Sequence, residues 1–270
     1  MAIITLTTDW NKSDYYIGSV KGKILSFDQT TIIIDISHQV PPFNIMNAAF
    51  ILRNCWYEFP EGTIHIIAVN AALTGKRPLL IVKKKGHFFI TSDNGIVGLL
   101  FGDKPDTVYL VNMPEIESNF NGLNSYINTA FRIIKGEDID QFSIPYDSYL
   151  TQIPLRPVIE KKLISGLVIY IDSFSNAISN ISKETFNMVG EGRSFEIFVQ
   201  SNNYRIDKLC STYADAPSGE LLAMFNSVGL LEISINNGYA ADLLNLNTNS
   251  AIRIKFYDEH PVNKLNLTGA

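Results

Sequence analysis

The strongest constraint on the fold is an alternation of short β-rich runs with helical patterns in the first half of the chain. Three runs rich in isoleucine and threonine are typical of strands: residues 3–8, 31–37 and 63–70. Between them, residues 15–27 and 44–59 show the apolar spacing of helices, and Asn44 stands where a cap is expected. Strands that alternate with helices predict a mostly parallel sheet flanked by helices.

The first half of the chain ends with a hairpin and a helix, and the pattern changes after them. Residues 79–92 predict a hairpin that turns at Lys85 and Gly86, and a last helix is expected near residues 125–135. Residues 141–157 lack periodicity and include Pro145, Pro154 and Pro157, so we assign them to a linker. We therefore predict an α/β N-terminal domain at 1–140 and a smaller, largely antiparallel β domain at 158–270, in which residues 237–246 form the one convincing helix.

Composition excludes several classes of protein. Hydrophobic residues make up 46% of the chain and charged residues 18%, which indicates a globular protein whose somewhat apolar surface favours a homo-oligomer. A formal net charge of -5 gives no support for binding nucleic acid or an anionic membrane. The chain has no run long and apolar enough for a membrane span, and it opens on a strand pattern rather than a leader, so we expect a cytoplasmic protein.

Two cysteines, Cys55 and Cys210, lie far apart in the sequence. They lack the spacing of metal ligands, and reduced, packed thiols are the favoured interpretation. No second histidine is spaced to form a metal pair with His38, so we expect no metal site.

The loop "VNAALTGKRP" at residues 69–78 resembles part of a phosphate-binding loop at first sight. A P-loop needs two glycines that bracket four residues, followed by Lys and then Ser or Thr. Here the first glycine is missing, and Arg77 and Pro78 follow Lys76, so we reject a nucleoside-triphosphate site. The loop nevertheless leaves the carboxyl end of a predicted strand, which is where ligands bind in open α/β sheets.

Several polar residues follow predicted strands. Asp9, Asp35 and Asp172 each stand at a strand end, where a carboxylate binds ribose hydroxyls or a metal, or simply caps the next turn. Capping is the commoner role for any one of them. His38 precedes two prolines and is either an acid or base or, more commonly at such a place, a structural residue.

Six motifs in order along the chain resemble the S-adenosylmethionine (SAM) hydroxide adenosyltransferases, the relatives of the bacterial fluorinase and chlorinase. They are "LTTDWNKSDYYIGSVKGKIL", "IDISHQVPP", "FPEGTIHIIAVN", "SDNGIVG", "IDSFSNAISNI" and "NSVGLLEISINNGYAADLL". The resemblance runs from about residue 3 to about residue 245. It implies an α/β N-terminal domain, a β-barrel-like C-terminal domain and a homotrimer that binds SAM between subunits. SAM is then substrate or ligand, and no separate cofactor is implied.

The resemblance also implies binding residues, which are named here by their positions in this chain. Asp9 would hold the ribose hydroxyls, and Phe43 would form an aromatic wall near the ribose and sulfonium. Asp172 and Asn176 would bind the amino and carboxylate ends of methionine. The adenine pocket would be formed by Tyr213, Asn226 and Ser227.

The catalytic triad of the family is altered. Asn70 stands where the family has aspartate and Asn121 where it has histidine, while Arg77 matches the family arginine. An asparagine cannot accept a proton near neutral pH, so two of three groups lose the capacity of a general base. Three hypotheses follow: a SAM hydrolase with weakened or altered chemistry, a trimer that binds SAM or adenosine without cleaving it, and a trimeric scaffold whose pocket has drifted.

Overall fold

The computed structural model describes residues 1–102, 105–112 and 119–258, with only the backbone described for residues 119–121. Contacts divide the chain into two compact units, Met1–Pro154 and Leu155–Ala270, which we call the N-terminal and C-terminal units. Each unit is treated separately below. The sequence-based boundaries at 140 and 158 stay predictions.

The N-terminal unit contains a seven-stranded sheet. Its strands are β1 (Ile3–Thr8), β2 (Ile32–Ser37), β3 (Ile64–Ala68), β4 (Leu79–Lys84), β5 (His87–Ser92), β6 (Thr107–Val111) and β7 (Ser143–Pro145). The sheet order is β2-β1-β3-β5-β4-β6-β7. The first three pairings in this order are parallel, and the hairpin of β4 and β5 introduces the antiparallel pairings that follow. The predicted α/β fold with a mostly parallel sheet is confirmed.

Helices cover both faces of this sheet because the strands point successive side chains to opposite sides. The helices are α1 (Tyr15–Phe27), α2 (Ile45–Arg53), α3 (Ile96–Phe101) and α4 (Asn119–Ile134). On β3, Ile66 belongs to the core cluster under α1 and α4, whereas its neighbour Ile67 belongs to the cluster under α2 and α3. Helix α2 ends at Arg53, short of the predicted residue 59, and a 3₁₀ turn at Trp56–Glu58 follows.

The C-terminal unit is built on an antiparallel sheet of eight strands. They are β8 (Val158–Glu160), β9 (Leu163–Ile171), β10 (Ala177–Ser182), β11 (Ser194–Val199), β12 (Arg205–Ile206), β13 (Leu221–Phe225), β14 (Leu230–Ile235) and β15 (Ala251–Tyr257). The main path runs β12-β11-β15-β9-β10-β14-β13, and β8 pairs with β9. A bridge between Leu209 and Ala223 joins the segment after β12 to β13, so the two ends of the path meet. The predicted barrel-like domain is confirmed.

One expectation for the C-terminal unit was wrong. Residues 237–246 were predicted to hold its one convincing helix, yet the helix there is only α6 (Ala240–Leu243), and a longer α5 spans Lys183–Gly190. Helix α5 follows β10 directly. Ser182, the last residue of that strand, caps the helix by accepting a hydrogen bond from the Thr185 N–H at 3.1 Å. Where a strand continues into a helix without a loop, the sequence has no turn residues that would mark the boundary.

Within the described residues, no helix combines the length and the apolar character that a membrane span requires.

Candidate functional site

The predicted site residues of the N-terminal unit lie at the carboxyl edge of its parallel strands. Asp9 follows β1, Phe43 lies in the connection after β2, and Asn70 follows β3. Because these strands run parallel and pair side by side, their carboxyl ends deliver the three residues to one place.

The Asp9 carboxylate joins two of these loops. Its Oδ2 accepts hydrogen bonds from the backbone N–H of Phe43 at 2.9 Å and from that of Asn70 at 3.1 Å. The other oxygen, Oδ1, has no hydrogen bond from any residue that the structure describes. The side chain can therefore hold the two loops and still offer one oxygen to a hydroxyl group.

Both residues that donate to Asp9 have left-handed backbone conformations. Phe43 has φ of 65° and Asn70 has φ of 48°. Asparagine adopts this region readily, whereas a bulky aromatic residue rarely does. The ring of Phe43 is also 73% exposed, so burial of its side chain does not explain the conformation. The backbone of Phe43 donates to Asp9 and accepts from the Ile45 N–H at 3.1 Å, and both hydrogen bonds are made in this conformation.

The loop after β3 is held along its length. Asn94 donates from Nδ2 to the Val69 carbonyl at 3.0 Å, and the buried Tyr126 hydroxyl donates to the Ala71 carbonyl at 3.2 Å. Thr74 and Arg77 exchange backbone hydrogen bonds of 3.1 and 2.9 Å, which places Gly75 and Lys76 at the tip of a small hairpin. An exposed hairpin tip does not cradle phosphates, so the geometry agrees with rejection of a P-loop.

The retained arginine contacts the altered catalytic residue. Arg77 donates from Nη1 to Asn70 Oδ1 at 3.3 Å. This contact orients the amide of Asn70 with its oxygen toward Arg77, and the amide N–H groups are left as donors. Asn121 belongs to α4, but its side chain lies outside the described residues.

These residues surround a cavity of about 440 Å³, which we call the Asp9 cavity. It is lined by Asp9, Trp10, Asp14, Tyr16, Pro42, Phe43, Asn70, Ala71, Ala72 and Leu123. The structure thus brings Asp9, Phe43 and Asn70 together and places Arg77 beside them. Sequence reasoning did not select Trp10, Asp14 or Tyr16, although all three belong to the motif that follows β1.

The predicted residues of the C-terminal unit divide into two groups. Asn176 and Tyr213 line a second cavity of about 520 Å³, the Tyr213 cavity, together with Phe174, Ile235, Asn236, Asn237, Gly238 and Tyr239. Asp172 lies behind Asn176, where its Oδ1 accepts from the backbone N–H groups of Phe174 and Asn176 at 2.9 Å and its Oδ2 accepts from Asn176 Nδ2 at 3.0 Å. This pattern fits a carboxylate that shapes a turn, and a role in binding methionine stays a prediction.

A buried carboxylate connects two of the three predicted adenine residues. Glu232, on β14, accepts hydrogen bonds from the Tyr213 hydroxyl at 2.7 Å, from Ser234 Oγ at 2.8 Å and from Asn226 Nδ2 at 3.3 Å. Burial, together with the hydrogen bond to Glu232, raises the pKa of Tyr213 to about 12, so its hydroxyl stays protonated near neutral pH. Ser227 lies exposed in the turn between β13 and β14, and neither it nor Asn226 lines the Tyr213 cavity.

Glu232 was missed in the sequence although a signal existed. It is an acidic residue inside "LLEISI", an otherwise apolar strand, and a buried charge in such a run needs partners.

His38 has a structural environment. The side chain is 2% exposed, its Nδ1 lies 2.8 Å from Thr8 Oγ1, and its Nε2 lies 3.1 Å from Asp35 Oδ1. Asp35 also receives a hydrogen bond of 2.6 Å from Lys21. Neither His38 nor Asp35 lines the Asp9 cavity, so the structural interpretation of both residues is favoured.

Comparisons with known proteins agree with this arrangement. Residues 4–143 match the model of the SAM hydroxide adenosyltransferase N-terminal domain, and residues 166–253 match the model of the C-terminal domain. An (R)-S-adenosyl-L-methionine hydrolase of Methanocaldococcus jannaschii is 28% identical over 273 residues, which cover 93% of this chain and 95% of that protein. A fluorinase of Actinopolyspora mzabensis is 21% identical and covers 93% of this chain and 96% of its own length.

The fold is similar to that of a solved structure. The crystal structure of an uncharacterized conserved protein from Thermotoga maritima superposes with a TM-score of 0.83 at 25% identity, over 94% of this chain and 99% of that one. The resemblance drawn from the six sequence motifs is confirmed.

Proposed function

The chain belongs to the SAM hydroxide adenosyltransferase family, and on this premise we propose that it binds SAM and hydrolyses it to adenosine and methionine. The relatives named SAM hydrolase match over nearly their whole length, which supports the proposal. The observation that supports it most directly is the Asp9 carboxylate, which lines the cavity with one oxygen available to a ribose hydroxyl.

The proposed reaction is an in-line displacement. The oxygen of a water molecule attacks the ribose C5′ on the side opposite the sulfonium, and the C–O bond forms as the C–S bond breaks. The bonding pair leaves with sulfur, which becomes the neutral thioether of methionine, and the attacking water loses one proton. Because a sulfonium leaves without being protonated, orientation of the two reactants supplies much of the available catalysis.

The fate of that proton limits the expected rate. Asn70 cannot accept it, because an amide is not basic near neutral pH, and its side chain instead accepts a hydrogen bond from Arg77. We therefore propose that the proton passes to solvent and that turnover lacks the general-base contribution, which is generally worth about 10²-fold to 10⁴-fold. In this proposal Asn70 and Arg77 position the water, and Asn121 is the third residue assigned to the reaction.

A product assay tests the proposal. Purified wild type is incubated with SAM, and adenosine and methionine are quantified by chromatography against a protein-free blank. We expect the two products in equal amounts, formed at least about tenfold more slowly by Arg77→Ala, which loses the donor that orients Asn70. Adenosine released no faster than in the blank would contradict hydrolysis.

The alternative function is binding without cleavage, and the observation that favours it is Asn70 in place of the family's aspartate. This alternative predicts calorimetric binding of SAM or adenosine, with SAM recovered intact after long incubation. It is wrong if neither compound binds.

We further propose that the protein works in the cytoplasm as a homotrimer, with SAM bound between subunits. The free thiols of Cys55 and Cys210 support a reducing compartment, and the exposed aromatic rings of Phe174 and Tyr239 beside the Tyr213 cavity support burial against another chain.

A further inference from the structure

The charged side chains that line the Asp9 cavity are acidic. Two carboxylates, Asp9 and Asp14, line it, and the lining residues that the structure describes include no lysine, arginine or histidine. Arg77 contacts Asn70 but does not itself line the cavity. A cavity with this balance attracts a cationic group and repels an anionic one.

The walls of the same cavity are aromatic. Trp10 and Tyr16 both line it, with ring centroids 6.2 Å apart and planes inclined at 53°. Trp10 packs against the core cluster of the N-terminal unit, so its ring is fixed from behind. Phe43 adds a third ring, and the backbone N–H of this residue donates to Asp9. Aromatic faces attract organic cations, and sulfonium groups are weakly hydrated enough to benefit.

We propose that Trp10 and Tyr16, together with the carboxylate of Asp14, make this cavity select the positively charged sulfonium form of the ligand over a neutral thioether of the same shape. The inference rests on the proposed function in that the ligand is taken to be SAM. It adds two aromatic residues and one acidic residue that set specificity by charge. Among the residues assigned so far, only Phe43 was expected near the sulfonium, and the others recognise the sugar, the base and the methionine ends.

A pair of matched ligands tests this specificity. S-adenosylhomocysteine differs from SAM by the absence of one methyl group and of the sulfonium charge, so the ratio of their dissociation constants reports the charge together with the contacts of that methyl group. We expect calorimetry on wild type to show that SAM binds at least about fivefold more tightly than S-adenosylhomocysteine.

Variants of the three residues then show which side chains produce the preference for SAM over S-adenosylhomocysteine. Trp10→Leu and Tyr16→Leu should each weaken SAM binding by about 3-fold to 30-fold while changing S-adenosylhomocysteine binding by less than about twofold. Trp10→Phe and Tyr16→Phe, which keep an aromatic face, should retain most of the preference. Asp14→Asn should lower the ratio and reduce its dependence on salt.

The outcomes separate the inference from the proposed function. If wild type binds both ligands equally, or if the leucine variants weaken both equally, charge selection is wrong while SAM binding stands. If wild type binds neither ligand, the proposed function itself fails. Thermal unfolding of each variant shows whether a lost affinity reflects a lost fold, and Tyr16→Leu remains informative if Trp10→Leu does not fold.

Discussion

The side chain of Asn70 determines what chemistry the Asp9 cavity supports. Its oxygen accepts from Arg77 and retains a second lone pair, and its nitrogen carries two N–H donors, so a water beside it can be oriented by hydrogen bonds. Such a water cannot pass its proton to Asn70. The residue favours positioning over activation, which is why we expect slow turnover rather than none.

Restoration of the family's residues should reveal the missing activation. The double variant Asn70→Asp, Asn121→His is expected to hydrolyse SAM about 10²-fold to 10⁴-fold faster than wild type, because a carboxylate and an imidazole can accept a proton near neutral pH. The rate of adenosine formation is the measurement, with Asn70→Asp alone as the intermediate case. An unchanged rate would mean that a change elsewhere in the Asp9 cavity limits hydrolysis, rather than the missing general base.

A second expectation concerns Glu232. Removal of this buried carboxylate in Glu232→Leu leaves three donors without a partner and should lower the free energy of unfolding by about 2 to 4 kcal/mol. Glu232→Gln keeps one acceptor oxygen and should cost less. Urea unfolding measures both variants, and equal losses would show that shape rather than hydrogen bonding matters at this site.

Sequence patterns predicted which loops form the candidate site but not the hydrogen bonds that join these loops. Asp9, Phe43 and Asn70 follow strands whose parallel order was predicted, so their proximity could be anticipated. The link between them could not, because it runs through backbone N–H groups of two residues with positive φ, and neither position is a glycine that would signal such a conformation.

Helix α2 begins at Ile45, two residues after Phe43, and Asn44 is its N-cap. Asn44 accepts a hydrogen bond from the Asn47 N–H at 3.0 Å. Asn44→Ala should therefore lower the free energy of unfolding by about 1 kcal/mol, whereas Asn44→Asp retains the acceptor and should stay close to wild type. Urea midpoints test this, and equal losses in the two variants would contradict a capping role.

The strands β1, β3 and β5 share a buried histidine network that should make stability depend on pH. His65 Nδ1 lies 2.8 Å from Thr5 Oγ1, and His65 Nε2 lies 3.2 Å from His87 Nδ1. Burial, with a smaller contribution from His87, lowers the pKa of His65 from 6.5 to about 3. The folded state therefore binds fewer protons than the unfolded state between these two values, and stability falls as the pH falls through that window.

Through His65, the free energy of unfolding should fall by about 1 kcal/mol when the pH is lowered from about 7 to about 5.5. Urea unfolding at the two pH values measures it, and His65→Gln, which does not titrate, should lose less. His87 is a second contributor, since burial lowers its pKa as well. A wild-type stability that is flat across this interval would contradict the network.

Element boundaries show what local patterns can and cannot specify. The strand at Ile3–Thr8 and the helix at Tyr15–Phe27 match the predicted bounds, because each has one clear period and clear ends. The β-rich run at residues 204–212 forms a strand only at Arg205–Ile206, because pairing partners rather than propensity decide how far a strand extends.

The assembled protein offers a direct test of the proposed trimer. Sedimentation should give the mass of three chains, and a monomer would contradict it. If SAM binds between subunits, coassembly of Asp9→Ala chains with Tyr213→Ala chains should rebuild intact sites from the unaltered unit of each. When the two variants mix randomly in equal amounts, half of the sites have an unaltered Asp9 and half of those also have an unaltered Tyr213. The mixture should therefore bind, per chain, about one quarter of the SAM that wild type binds. Either variant alone should bind none, and no recovery on mixing would show that both cavities of one site come from the same chain.

The double use of Asp9 has an evolutionary consequence. Because one carboxylate oxygen of Asp9 holds two loops while the residue also lines the cavity, selection acts on this residue for the fold as well as for the ligand. A lineage that stopped cleaving SAM would still keep Asp9, whereas the side chain of Asn70 makes no comparable connection between loops and is free to change. In a lineage that loses the hydrolytic activity, we therefore expect substitutions at position 70 first and at position 9 only much later.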